Sequence, residues 1–465
     1  MSSFRPRYAL LFCMVLGVRG VWLGGGLCQG EFPATMSGVD THVDEGLGER
    51  LPGIVPGMVS LPLSKSLALR GLLVASGLRR SLQMSSASAS GWRELGDDLS
   101  AGIDCARALG AEISVLESSM GITWGAERSG GILKVGESGF LGRVAPACAA
   151  LSRGGAWAID AQGTLLARSS DPLWSCLMDS GVALERNGSW VSSVSRGGQR
   201  SALTLKEPVS SQELSALVIG LAANGGGSLE VRGEIPSRPY FEMTVAVLSE
   251  FGVEVIGSPS SMRVQGVAVD PPEPMLIEVD ASAAAVALAA GCLSGVRVEV
   301  PAPAPGSLQG DWRIVEHLRA FGCVIEDSGA SLTAGGAPLN AVDLDLSGEP
   351  DLAPVLAVVS AAAAQRGAGQ STLRGLDTLD GKESARGQVL SAGLRAAGFK
   401  CEWTGRELEI DGKPAFSHQI SLDASMDHRM AFAFALLGII CPTVSVAKGS
   451  CIMKSWPNFW SSMGA

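Results

Sequence analysis

Five short segments gather polar, mostly cationic side chains just ahead of apolar helical runs. In LPLSKSLALRGLLVASG the run is opened by Ser64, Lys65, Ser66 and Arg70; in ESGFLGRVAPACAAL by Ser138, Gly139 and Arg143. Ser210, Ser211 and Gln212 begin SSQELSALVIGLA. Lys382, Glu383 and Arg386 fall within about one turn in GKESARGQVLSAGL, and Asp427, His428 and Arg429 precede the apolar part of MDHRMAFAFALL. A helix start carries free backbone N–H groups and the positive end of the helix dipole, so it favours anions. Singly, each segment has an ordinary explanation as a solvated helix start or a serine cap. Directed at one place, the five would make a positive pocket for substrates carrying several negative charges.

What must position them is a repeat. An amphipathic stretch, a glycine and a short alternating apolar segment recur around Gly110, Gly181, Gly252, Gly322 and Gly398, at intervals of 71, 71, 70 and 76 residues. Each copy reads as a helix stopped by glycine and followed by a strand. Further helices and strands lie between the copies, so the unit is a small α/β fold rather than a helical solenoid repeat. A sixth unit could be assembled from the two ends of the chain. That arrangement predicts two lobes, with crossings near Pro62 and near Glu278–Asp280.

Composition agrees. A chain of 465 residues, 46% hydrophobic and 18% charged, can bury large cores in two or three domains. Its net charge of −10 excludes a general nucleic-acid binder and makes local cationic clusters informative. No Walker A loop, no strand-linked GxGxxG and no HExxH is present, which removes support for nucleotide, dinucleotide and zinc-protease chemistry. The ten cysteines form no CxxC pair, and the expectation is buried free thiols.

The clusters resemble one family in order along the chain. PLSKSLALR is similar to the PGSKSxxxR segment of 5-enolpyruvylshikimate-3-phosphate synthases, and ESGFLGR to their NAGTxxR. SSQ and SRPYFEMT resemble SSQ and SKPYxxxT; QGDWR and KESAR resemble QGDxR and KETDR. DHRMAFAFAL and CIMKSWPNF are similar to DHRMAM and CxxKTFP. The resemblance, from about Leu61 to Phe459, implies an α/β fold of two lobes joined by two crossovers. Each lobe would hold three βαβαββ units in an inside-out α/β barrel. On this reading 1–45 is an N-terminal extension, 64–278 the first lobe, and 46–63 plus 279–465 the second.

The implied activity is enolpyruvyl transfer from phosphoenolpyruvate to the 5-hydroxyl of shikimate 3-phosphate, in the shikimate pathway to chorismate and aromatic amino acids. Residue by residue, the resemblance puts Lys65, Gly139, Arg143, Arg168, Gln212, Arg386, Arg429 and Lys454 around phosphoenolpyruvate. It puts Lys65, Ser66, Arg70, Ser210, Ser211, Gln212, Ser237, Tyr240, Asp351 and Lys382 around shikimate 3-phosphate. Asp351 is the expected base at the hydroxyl, with Lys65 stabilising developing charge. Glu383 is the expected proton donor to the methylene, with Lys454 beside it. The chain departs from the family at Leu63, Glu137, Phe140, Thr378, Ala385 and Met426. Glu137 and Phe140 are expected to put a carboxylate and a bulky ring beside the phosphoenolpyruvate site.

No metal or organic cofactor, no nucleic acid and no membrane is expected; a cytoplasmic monomer is. Two other readings stay open: the related transferase acting on UDP-N-acetylglucosamine, and a binding homologue without turnover. Residues Arg5 to Val18 are compatible with a signal, an organelle-targeting segment or an upstream start codon, with Met36 or Met58 as the favoured true start.

Overall fold

Each glycine of the repeat ends an outer helix in a left-handed backbone, at φ 107° (Gly110), 97° (Gly181), 71° (Gly252), 87° (Gly322) and 92° (Gly398). A side chain there would clash with its own backbone, which is why the repeat keeps glycine at this point. The helices are Asp97–Ala108, Asp171–Asp179, Arg238–Glu250, Ile314–Ala320 and Arg386–Ala396. The strands that follow them begin at Ala111, Ala183, Glu254, Val324 and Lys400. The computed structural model describes residues 48–464, except 52, 153–154, 188–189, 196–200 and 415–417. The N-terminal segment Arg5 to Val18 and Met36, with Cys13 and Cys28, lie outside the described residues.

The strand after each glycine turns back on the next strand as an antiparallel hairpin. A parallel pair completes each of five four-stranded sheets, as where Gly131–Gly136 and Ala156–Ala161 join Trp190–Ser195 and Ala183–Asn187. The sixth sheet has two parallel strands, Ile420–Asp423 and Val444–Ala447, and Glu49 bridges to Val446 beside it.

Two strands are exchanged between the halves of the chain. Gly57–Met58 pairs with Val298–Glu299, whereas Met275–Ile277 returns to pair with Met84–Ser86. The two passages run antiparallel at Leu63 and Val279, tied by Ser64 N–H to Glu278 O (2.8 Å) and Asp280 N–H to Pro62 O (2.9 Å). One hydrophobic core holds residues from Leu63 to Ile277; the other holds Val59, Leu61 and residues from Val279 to Met463.

Three helices touch one another inside each core: Lys65–Leu78, Gly139–Ser152 and Ser211–Ala223 in the first, and Ala281–Ser294, Ala353–Gln365 and His428–Ile440 in the second. They are apolar on nearly every face because sheets and outer helices surround them. Small residues let them approach closely, as where Gly220 lies against Leu151 and the Ala147 carbonyl. Among the described residues no helix is long and apolar enough to cross a membrane. The eight described cysteines are free thiols, seven of them buried, and burial pushes Cys105 and Cys148 up to about 12. The starts of the inner helices carry most of the polar clusters.

Candidate active site

A cleft of about 1510 Å³ opens between the two halves, and both supply its cations. Lys65, Arg143 and Arg168 come from the first core's elements; Lys382, Arg386 and Arg429 come from the second's. Lys454 joins them through Glu383, 3.0 Å away, and its ammonium also donates to the Glu137 carbonyl across the cleft (3.1 Å).

Two carboxylates organise the second half. Asp351 stands on the short turn Pro350–Leu352, just ahead of an inner helix. It meets Arg386 (2.9 Å), Arg429 (2.9 Å) and Lys382 (3.3 Å). Burial alone would raise its pKa, but Arg429, Lys382 and Arg386 outweigh that and hold it far below the usual carboxylate range. Glu383 meets Arg386 (2.6 Å), Lys454 (3.0 Å) and Arg168 (3.5 Å). Against the same opposing burial, Lys454, Arg386 and Arg168 hold Glu383 well below its ordinary value. Lys382 and Glu383 lie just ahead of their helix. The helix begins at Arg386, and a short turn at Leu379–Gly381 delivers both side chains ahead of it.

In the first half, Ser64 caps its helix by accepting from the Leu67 N–H, so Lys65 begins the helix and pairs with Asp98 at 3.0 Å. Arg143 donates to Gln212 Oε1 (2.9 Å), to the Gly139 carbonyl (2.9 Å) and to the Ser169 carbonyl (3.2 Å). Gly139 leaves the room they need: a Cβ there would lie 2.9 Å from Arg143 and 3.1 Å from Gln212. Ser66, Ser210, Ser211 and Ser237 line the cleft, Ser210 as the cap of its helix. Ser237 is held at φ 50°, a strained conformation for serine.

Arg70 also reaches the cleft wall, yet its guanidinium is spent inside the fold. It donates to Thr244 (2.9 Å), the Ser66 carbonyl (2.8 Å) and the Tyr240 carbonyl (2.7 Å), and lies over the Phe140 ring. Phe140 is therefore packed against Arg70, 7% exposed. The expectation for Glu137 needs correcting. Its carboxylate turns away to accept from the Thr164 N–H (3.3 Å) and hydroxyl (2.9 Å). Of the other departures, Thr378 lines the cleft, and its buried hydroxyl has no hydrogen-bond partner among the described residues.

Sequence reasoning missed several participants. Asp98 sits in an ordinary acidic first turn, which gave no sign that it faces Lys65. Asp311 accepts from the Tyr240 hydroxyl at 2.6 Å, joining the halves, and from Ser282, which in turn accepts from Arg429. Burial pushes Asp311 up to about 6. Asp427, which the sequence placed in the fifth cluster without a role, is fully buried and accepts from Arg386 Nε at 2.7 Å and from the Arg429 N–H at 2.9 Å as a helix cap. The motifs QGDWR and DHRM contained Asp311 and Asp427, but spacing could not say what they touch.

His428 carries a pH prediction. Burial, then the neighbouring Lys65, pushes its pKa well below the ordinary value of 6.5. The unfolded chain therefore binds one proton more below that pH. Stability from this residue is complete above about pH 6.5 and falls by about 1.4 kcal/mol per pH unit on acidification, until the folded pKa is reached. Urea titrations of the wild type and His428→Gln between pH 7 and pH 5 should show a shallower fall in the variant.

The family model described as EPSP synthase (3-phosphoshikimate 1-carboxyvinyltransferase) matches residues 50–463. This chain belongs to the EPSP synthase family. A 3-phosphoshikimate 1-carboxyvinyltransferase of Shewanella sp. (strain ANA-3) is 28% identical over 426 residues, covering 88% of this chain and 97% of that one. Its counterpart from Shewanella oneidensis is 29% identical over 425 residues, covering 87% and 96%. Among solved structures, an EPSP synthase from Acinetobacter baumannii superposes with TM-score 0.67 at 21% identity, over 89% of this chain and 96% of that one. The enolpyruvyl transferase NikO from Streptomyces tendae gives 0.62 at 16% identity, over 90% and 96%. These two likenesses establish the two-lobed enolpyruvyl transferase fold.

Proposed function

We propose that this chain transfers the enolpyruvyl group of phosphoenolpyruvate to the 5-hydroxyl of shikimate 3-phosphate, releasing phosphate. The observation that carries the reading is the convergence of cations from both halves around two half-buried carboxylates, Asp351 and Glu383. A second observation supports it: the Nε atoms of Arg143 and Arg168 are buried at the cleft without an acceptor among the described residues. Buried donors of this kind are normally satisfied, and a phosphate or carboxylate satisfies them. Family membership and the names of the relatives agree.

Phosphoenolpyruvate would lie among Lys65, Gly139, Arg143, Arg168, Gln212, Arg386, Arg429 and Lys454. Shikimate 3-phosphate would lie toward Lys65, Ser66, Ser210, Ser211, Gln212, Ser237, Tyr240, Asp351 and Lys382. Arg70 would act by holding Ser66 and Tyr240 in place. Asp351, kept anionic by its neighbours, accepts the proton of the 5-hydroxyl as the oxygen attacks C2. Glu383 delivers a proton to the methylene. Phosphoenolpyruvate's own charges compete for Lys454, Arg386 and Arg168, which leaves burial to raise Glu383 toward a donor's pKa. Lys65, oriented by Asp98, steadies charge on the oxygens; Glu383 then takes a proton back from the methyl group of the tetrahedral adduct as phosphate leaves, which restores the carbon–carbon double bond. Both walls of the cleft belong to one chain, which supports a monomeric enzyme.

The test is phosphate release from phosphoenolpyruvate with either shikimate 3-phosphate or UDP-N-acetylglucosamine as acceptor. Release with the first acceptor alone is expected. Release with the second alone would reassign the substrate, and tight binding of both substrates without release would make the chain a binding homologue.

A further inference from the structure

We infer that Glu137 is a positioning residue for the cation pair at Glu383, acting through Thr164 on Arg168 and through its own carbonyl on Lys454. This inference rests on the enolpyruvyl-transfer reading. Glu137 closes the strand Gly131–Gly136 and precedes the inner helix Gly139–Ser152. Its Oε2 accepts from both the N–H and the hydroxyl of Thr164. A hydroxyl has one proton to give. Because that proton goes to Glu137, the Thr164 lone pairs face Arg168, whose NH2 donates to them at 2.7 Å. The other terminal nitrogen of Arg168 then stands 3.5 Å from Glu383 Oε1.

Lys454, from near the C-terminal end of the chain, meets the same Oε1 at 3.0 Å and is held on its far side by the Glu137 carbonyl at 3.1 Å. One residue thus stands behind both cations. The loop is shaped for this contact: Gly163 has φ 52°, and a Cβ there would run into the Glu137 carboxylate. An arginine held at one end presents its guanidinium in a fixed direction, and misplacing it weakens a planar anion contact steeply. The anion affected is phosphoenolpyruvate; shikimate 3-phosphate lies toward other residues.

The experiment measures phosphate release and calorimetric phosphoenolpyruvate binding for the wild type, Glu137→Ala, Thr164→Val, Thr164→Ser and the double variant Glu137→Ala/Thr164→Val. Glu137→Ala and Thr164→Val should each raise KM and Kd for phosphoenolpyruvate about tenfold, with KM for shikimate 3-phosphate changed less than about twofold. Thr164→Ser, which keeps the hydroxyl, should recover to within about twofold of the wild type. The double variant should be close to the worse single one, because both changes break the same relay. General loss of structure would move both KM values and would not be rescued by serine. Wild-type phosphoenolpyruvate constants in either single variant, or multiplicative effects in the double one, overturn the inference. A wild type that binds phosphoenolpyruvate without turnover defeats the functional reading alone, and its binding constants still decide the relay. A wild type that binds none defeats both.

Discussion

Asp351→Ala lowers turnover by about 10²–10⁴-fold, the contribution of a positioned general base, while both substrates still bind. The expectation comes from the electrostatics of the turn Pro350–Leu352. Three cations, Arg386, Arg429 and Lys382, share Asp351 as their acceptor. Removing the carboxylate releases Lys382 and one face each of Arg386 and Arg429 toward the anionic substrates, so affinity for phosphoenolpyruvate should hold or rise. What disappears is the carboxylate proposed to take the hydroxyl proton. Asp351→Asn is the sharper control, since the amide keeps the shape and one acceptor oxygen but cannot serve as the base. Steady-state phosphate release gives kcat, and calorimetry gives binding. Turnover within about threefold of the wild type would remove Asp351 from the mechanism.

Arg386→Met should cost about 3–5 kcal/mol of folding stability, the penalty for stranding a buried charge. Arg386 is 1% exposed and meets Asp351, Glu383 and Asp427 at once. The three partners would not suffer equally. Asp351 retains Arg429 and Lys382, and Glu383 retains Lys454 and Arg168. Asp427 keeps the Ser384 hydroxyl and the Arg429 N–H, but its close ion pair is gone. That points to a compensating change. Asn is also a good helix cap, so Asp427→Asn added to Arg386→Met should recover part of the loss. Denaturant midpoints of the single and double variants check both statements. A midpoint for Arg386→Met equal to the wild type's would mean that Arg386 serves substrate binding without supporting the fold.

The organisation of the site was largely legible before any coordinates. Glycine at a helix stop leaves a mark because few other residues tolerate the left-handed backbone, and all five repeat glycines occupy it. Cations ahead of apolar helices leave a mark because an acidic chain has no general reason to place them there. Arg168, in the loop AQGTLLARSSD outside the five polar segments, has its guanidinium beside Glu383. Phe140 and Glu137 read as a ring and a carboxylate beside a substrate site, and Phe140 does line the cleft. In the structure the ring packs under Arg70 and the carboxylate anchors the Thr164 loop, because both found partners distant in sequence.

Residue types and spacing, acting through helix periodicity, glycine backbone freedom and the affinity of helix starts for anions, determined the repeat, the lobed α/β plan and the cationic character of the cleft. Only the tertiary structure decided which charges meet: Lys65 with Asp98, Tyr240 with Asp311, and Lys454 with both Glu383 and the Glu137 carbonyl. Such pairs join residues up to 317 positions apart. Periodicity is a local property of the backbone, whereas an ion pair depends on where two separate elements come to rest against a shared core.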